Sequence, residues 1–181
     1  MPRYNDLNTS TRASNPTNNS GNMYSYGNYY TWAAAIADLT YNNTNNQSTT
    51  GTSLCPAGWH LPKGGDKSNE ANNELWSLVV DGINGVTKPA DYDSETSPCY
   101  DGIPEGENAS TKLRSYPNNF LYSGYFLSSA RNRGSIGSYW SSTAGSNIYS
   151  YSLDLYSPLV YPGTGNDIKS NGNSIRCTTG T

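Results

Sequence analysis

Between Met23 and Trp32 the chain alternates aromatic and small residues (MYSYGNYYTW), the two-residue period of a strand with one buried face. The overlapping stretch TWAAAIADL drops that alternation for an alanine-rich run, which predicts a short helix ending by Thr40. A second helix is predicted from Ser68. There SNEANNELWSLVVDG supplies a Ser or Asn cap, Glu70 and Glu74 in the early turns, and Leu75, Leu78 and Val79 at helical spacing before Gly82.

Later in the chain the apolar pattern comes in short runs bounded by turn residues. These are Asn119 to Leu127 (NFLYSGYFL), Gly137 to Thr143 (GSYWSST), Tyr149 to Tyr156 (YSYSLDLY) and Asn173 to Cys177 (NSIRC), all read as strands. In YSYSLDLY, Leu153 and Leu155 share one face with Tyr149 and Tyr151, and Asp154 and Tyr156 share the other, so a core face and a surface face are expected. Helices followed by strands predict an α+β fold, and no internal repeat suggests a solenoid or propeller.

The polar segments set the boundaries. Residues 1–22 carry almost no apolar anchor and read as a flexible arm, leaving residues 23–181 as one domain. Tyr41 to Ser53 (YNNTNNQSTTGTS) is a loop by every local signal, and the prolines and glycine of LCPAGWHLP preclude regular helix. Residues 83–118, rich in Pro, Gly and Asp, read as a long surface insertion of unassigned conformation.

Composition then narrows the class. Hydrophobic residues make up 34% and charged residues 14%, and the gap is filled by Asn, Ser, Thr and Gly with 16 Tyr and 4 Trp. A disordered chain shares the polar excess but is normally poor in the aromatics whose burial offsets chain entropy, so this chain is expected to fold. Tyr with Ser, Gly and Asn is also the mixture of recognition loops, although a loop-rich secreted protein uses the same Asn and Gly for turns.

The net charge of −3 and the scattered basic residues give no stripe for nucleic acid. With no run of about 18 apolar residues and no apolar signal core in MPRYNDLNTST, the chain is expected to be soluble, without membrane insertion of its own. Cys55, Cys99 and Cys177 lie too far apart for a CxxC redox motif or a close-spaced zinc site, which leaves one long-range disulfide and one further thiol.

Four motifs occur in order: CPAGWHLP at Cys55 to Pro62, the helix carrying Leu75 and Trp76, YWSST at Tyr139 to Thr143, and SIRC at Ser174 to Cys177. Together with the opening MYSYGNYYTWAAA, this pattern resembles the Fibrobacter succinogenes major paralogous domain over most of residues 23–178, with the middle insertion poorly matched. The resemblance implies a C-type-lectin-like α+β fold, with two helices, short antiparallel strands, long loops and a disulfide joining the two ends. It also implies a secreted or cell-surface location, the signal or anchor lying outside this chain. Cys55 precedes the helix and Cys177 lies in the last strand, where chain ends often meet, so a Cys55–Cys177 disulfide is expected. Cys99 has no counterpart in the motifs and is expected as a buried thiol, exposure being the alternative.

Several groups carry candidate chemistry. His60, the one histidine, is expected to serve packing in GWHLP, since a general base needs a nucleophile or substrate beside it. Trp59, Trp76 and Trp140 sit at motif or helix positions and are expected in structural roles. The metal-and-sugar triplets of calcium-dependent lectins, EPN or QPD with WND, do not occur here. No cofactor is expected; Asp91, Asp93 and Glu95 in DYDSE have a carboxylate spacing that can wrap calcium, but an acidic loop is usually only solvated.

The expected binding surface lies between Asn147 and Asn173, in a segment pinned between a strand and Cys177. Its residues are Asn147, Tyr149, Asp154, Tyr156, Leu159, Tyr161, Asn166, Asp167, Asn171 and Asn173. Some proteins of the resembling fold are variable proteins of diversity-generating retroelements, which change Asn codons near the C-terminus, and the mixture in SPLVYPGTGNDIKSNGN is similar to such an output. The expected function is therefore ligand binding to a protein or glycan on another surface. The alternatives are an enzyme of the formylglycine-generating or hydrolase type and a self-packing structural subunit.

Overall fold

In the computed structural model, residues 27–38, 52–65, 72–79, 109–116, 118–157 and 160–179 are described. The expected N-terminal arm, the DYDSE carboxylates Asp91, Asp93 and Glu95, and Cys99 lie outside them.

Three antiparallel strands make the central sheet, in the order β4 (Gly137–Ala144), β5 (Tyr149–Leu155) and β6 (Val160–Ile168). Directly paired residues share a face, so Tyr139 opposite Leu153, and Leu155 opposite Val160, point together to one side. That side packs with Leu75 and Trp76 of α2 (Glu74–Val79), Leu113 of α3 (Ala109–Arg114), and Phe120 and Tyr122 of the following segment. Trp140, opposite Ser152, points to the other side and packs with Trp32, Ala35, Ile36 and Leu61 around α1 (Trp32–Ala35).

The architecture is thus mixed α+β with antiparallel strands, and the sheet is covered on both faces. YSYSLDLY keeps the expected alternation, yet Asp154 is buried, lying opposite Ser138 and Tyr161 and against Ser152 and Gly165 on the face that also carries Trp140. The expectation that this face is surface is corrected.

Local chemistry sets the short helices. Thr31 caps α1 by accepting from the Ala34 amide, and the helix stops after one turn because Ala37 adopts φ 54°. Asn73 caps α2 by accepting from the Trp76 amide at 2.9 Å, while its Nδ2 donates to the carbonyls of Gly65 and Pro162 and so ties the helix to β6. Glu74, expected within an early turn, opens that helix. α3 lies in the region left unassigned by sequence and adds a third helix to the two expected.

Other strand expectations hold only in part. Of Asn119 to Leu127, only Tyr125–Phe126 is strand (β2), paired with Ala130–Arg131 (β3). The expected closing strand at Asn173 to Cys177 is replaced by isolated bridges at Gly172, Asn173 and Ser174 and a strand at Thr178–Thr179 (β7), which pairs with Trp59–His60 (β1). In the opening aromatic run, Tyr30 makes a bridge to Asn173, with mutual backbone bonds of 2.9 and 3.0 Å.

The largest departure is β6 itself, in a segment expected to be loop. Its Pro162 is tolerated because β6 is an edge strand. Its glycines serve close approach: a Cβ on Gly165 would strike the Asp154 carboxylate and Ser152 Oγ, and Gly163, at φ 78°, lies against Asn73.

Part of the polar composition goes inside. Ser141 Oγ donates to the Tyr151 carbonyl and Ser150 Oγ to the Thr143 carbonyl, both at 2.8 Å, where the β4–β5 register shifts between Trp140 and Ala144. Two of the buried indoles are satisfied by backbone: Trp32 Nε1 donates to the Ser141 carbonyl at 2.9 Å and Trp140 Nε1 to the Tyr30 carbonyl at 2.6 Å. Cys55 and Cys177 form the expected disulfide across a sequence separation of 122, with Cα atoms 5.8 Å apart. Among the described residues no helix is long and apolar enough to cross a membrane.

Candidate functional site

The sheet pairing places Tyr149 opposite Ile168 and Tyr151 opposite Asn166. These four share the face of Leu153, but they lie beyond the helices that cover it, so Tyr149 and Ile168 are each 41% exposed and Asn166 is exposed. The tight connection before β5 adds Asn147, which is exposed, and Ile148 at 49%. That connection is fastened at several points. Ser146 Oγ accepts from the amides of Ile148 and Tyr149, the Tyr149 carbonyl accepts from Gly145 and Ser146, and the Lys169 amide donates to the Ile148 carbonyl. An aromatic ring and two isoleucines are therefore held on a fixed backbone with asparagines around them.

A second aromatic pair lies at the other end of β5. Tyr156 and Tyr161 are half-buried, with ring centroids 5.5 Å apart in an edge-on arrangement. Burial pushes the Tyr156 phenol up to about 12, and the charges of Asp154 and Asp167 act in the same direction. The hydroxyl therefore stays protonated near neutrality and is available as a hydrogen-bond donor.

Asp154 and Asp167 lie on the face that carries Tyr161, Asp154 directly opposite Tyr161. Burial raises the Asp154 carboxyl to about 7, with repulsion from Asp167 adding to the rise and the nearby Ser138 and Ser152 hydroxyls opposing it. Asp167 is raised too, by burial, against a 2.6 Å hydrogen bond donated by Asn173 Nδ2.

Of the expected binding residues, Asn147, Tyr149 and Asn166 are exposed, and Tyr156, Tyr161, Asp167 and Asn171 are half-buried. Asp154 and Asn173 are buried and do not present side chains to a large ligand. The reason is the enclosure by Gly165 and Tyr161 for Asp154 and the Tyr30 bridge for Asn173. Leu159 lies outside the described residues. Ile148 and Ile168 were missed, because the register that sets Ile168 beside Tyr149 depends on a strand read as loop.

The region of CPAGWHLP differs from expectation. His60 makes a polar contact rather than a packing one, its Nε2 lying 2.8 and 3.0 Å from the two Glu74 oxygens; Glu74 also accepts from the Lys63 amide at 2.7 Å. Trp59, expected in a structural role, is 49% exposed on its two-residue strand. It lines a groove of about 190 Å³ with Glu74, Leu78, Phe120, Arg176 and Thr178. Trp76 and Trp140 are buried as expected. Thr178, opposite His60 across β1 and β7, directs its hydroxyl to the Thr179 carbonyl at 3.3 Å. Among the described residues no group of three or more His, Cys, Asp or Glu side chains gathers as a metal centre.

No protein-family model matches the chain, and no curated protein or solved structure matches it.

Proposed function

We propose that this chain is an extracellular ligand-binding domain of the C-type-lectin-like fold, resembling the Fibrobacter succinogenes major paralogous domain. It recognises a protein or glycan on another surface through the exposed end of the β5–β6 pair. The observation that carries the reading is the side-by-side exposure of Tyr149 and Ile168 on a fastened backbone, ringed by Ile148, Asn147 and Asn166. A rigid aromatic with aliphatic neighbours and adaptable amides is the chemistry of a binding surface, and holding it on strands limits the ordering cost of association. The mixed α+β architecture supports the fold assignment, and the long-range disulfide is compatible with an oxidising compartment.

The test is a glycan and surface-protein array probed with the oxidised domain, with and without calcium, followed by titration of whichever ligand binds. Tyr149→Ser and Ile168→Ser are each expected to weaken that ligand at least about tenfold, the size of a central interface anchor. Unchanged binding by both variants overturns the assignment of the surface. Whether its sequence is diversified is tested separately, by searching the source genome for a reverse transcriptase beside a near-identical template repeat.

A further inference from the structure

Two buried oxygens on the Asp154 side of the sheet have no hydrogen-bond partner: Asp154 Oδ1 and Asn173 Oδ1. Asn173 is fully buried, and its amide is oriented by the 2.6 Å bond from Nδ2 to Asp167 Oδ2. Reversing the amide would set oxygen against carboxylate, so Oδ1 is the atom left over, on the amide that holds Asp167. Asp154 is fixed from the opposite side, where Ser152 Oγ donates to its Oδ2 at 3.1 Å and Gly165 leaves the space that its carboxylate fills. An orphaned buried oxygen costs on the order of 1–3 kcal/mol. Here one belongs to the Asp154 carboxylate and the other to the amide that holds Asp167.

We propose that Asp154, Asp167 and Asn173 form a binding site for a hard divalent cation, calcium first among them. The donor set is oxygen only, with two carboxylates to balance a double positive charge and an amide oxygen beside them, the chemistry of calcium rather than zinc or copper. Asp167 is half-buried and its charge reaches the half-buried Tyr156, which meets Tyr161 edge-on, so this side of the site borders solvent, from which waters would complete a coordination shell of six to eight oxygens. The charged and titratable groups around the site are Asp154 on β5, Tyr156 just after it, Tyr161 and Asp167 on β6, and Tyr125 on β2. The next residue along this face of β6, Lys169, places its ammonium 4.4 Å from the centre of the Trp32 ring. The site differs in residues from the acidic run Asp91, Asp93 and Glu95, and it does not depend on the surface proposed for ligand binding.

The experiment uses the oxidised, chelator-treated domain and calcium chloride as the probe, by calorimetry and thermal unfolding at pH 7.5. Expected are one calcium per chain and a rise in the unfolding midpoint. Asp154→Asn and Asp167→Asn are expected to abolish both while remaining folded by circular dichroism. As a readout that survives misfolding variants, terbium added to the wild-type domain is expected to emit on tyrosine excitation and to lose that emission on adding calcium. The weakest extracellular calcium modules bind at about 10⁻³ M. No heat, no midpoint shift and no terbium emission at about ten times that concentration overturns the proposal in favour of a shared proton. Calcium binding that persists in both Asn variants overturns it in favour of another site.

Discussion

Cys55 and Cys177 are bonded across 122 residues of chain and fasten the strand pair that brings Trp59 opposite Thr179. A loop of that length confers about 4–5 kcal/mol by restricting the unfolded chain, in the chain-entropy account. Reduction, or Cys55→Ser, is therefore expected to lower the midpoint of thermal unfolding substantially. The check is a melting curve recorded with and without reductant, and an unchanged midpoint contradicts the expectation.

The metal-free domain is expected to lose stability as pH rises from about 4 to about 7. The Asp154 carboxyl is raised from 3.8 to about 7 in the folded chain, so between those values the native state holds a proton that the unfolded state has released. The native state binding more protons means that stability falls with rising pH across this window and levels off above it. Asp154→Asn keeps a neutral side chain that can donate to Asp167, so it is expected to flatten this dependence and to raise the midpoint at pH 8. Melting curves in chelator from pH 4 to pH 8 provide the measurement.

Gly165→Ala is expected to destabilise the domain by about 1–3 kcal/mol, the usual cost of forcing atoms into a filled site. The added Cβ meets Asp154 Oδ2 and Ser152 Oγ, both on the neighbouring strand. Combining it with Asp154→Ala should recover part of the loss. A denaturant-unfolding double-mutant cycle that gives simple additivity would contradict the contact.

Core and surface aromatics should separate cleanly. Trp140 is fully buried, so Trp140→Ala is expected to cost about 3–5 kcal/mol. Tyr149→Ser, at an exposed position, is expected to leave the melting midpoint within about a degree or two, since surface changes usually stay within about 0.5 kcal/mol. Comparing their denaturant midpoints checks both.

How far the sequence could be read depended on whether a residue's role was local. β4 and β5 were legible because Tyr139, Leu153 and Leu155 fall on one face by simple alternation, and α2 because Leu75 and Leu78 fall at helical spacing, although which residue caps it, Asn73, was not. β6 was not legible, because Pro162, Gly163 and Gly165 punctuate it as they would a loop. Those residues are accommodated only by an edge position and by side chains arriving from Asn73 and Asp154. The burial of Asp154 was hidden for a related reason: one strand's alternation tells which residues share a face, but not that Gly165 and Tyr161 of a neighbouring strand enclose it. At the candidate surface Tyr149 was foreseen, whereas its neighbour Ile168 depended on a cross-strand register that local pattern does not encode.

The bridge between Tyr30 and Asn173 also bears on the order in which the chain is made. The opening segment waits for its backbone partner until almost all of the domain has left the ribosome, so this part of the sheet closes late and through contacts of high sequence separation. During that wait Cys99 emerges before Cys177. Under oxidising conditions the first partner within reach of Cys55 is therefore the wrong one, and a Cys55–Cys99 bond formed early must be exchanged before the native pairing is complete. Replacing Cys99 with serine is therefore expected to speed oxidative refolding of the reduced domain, and an unchanged rate contradicts this order of events.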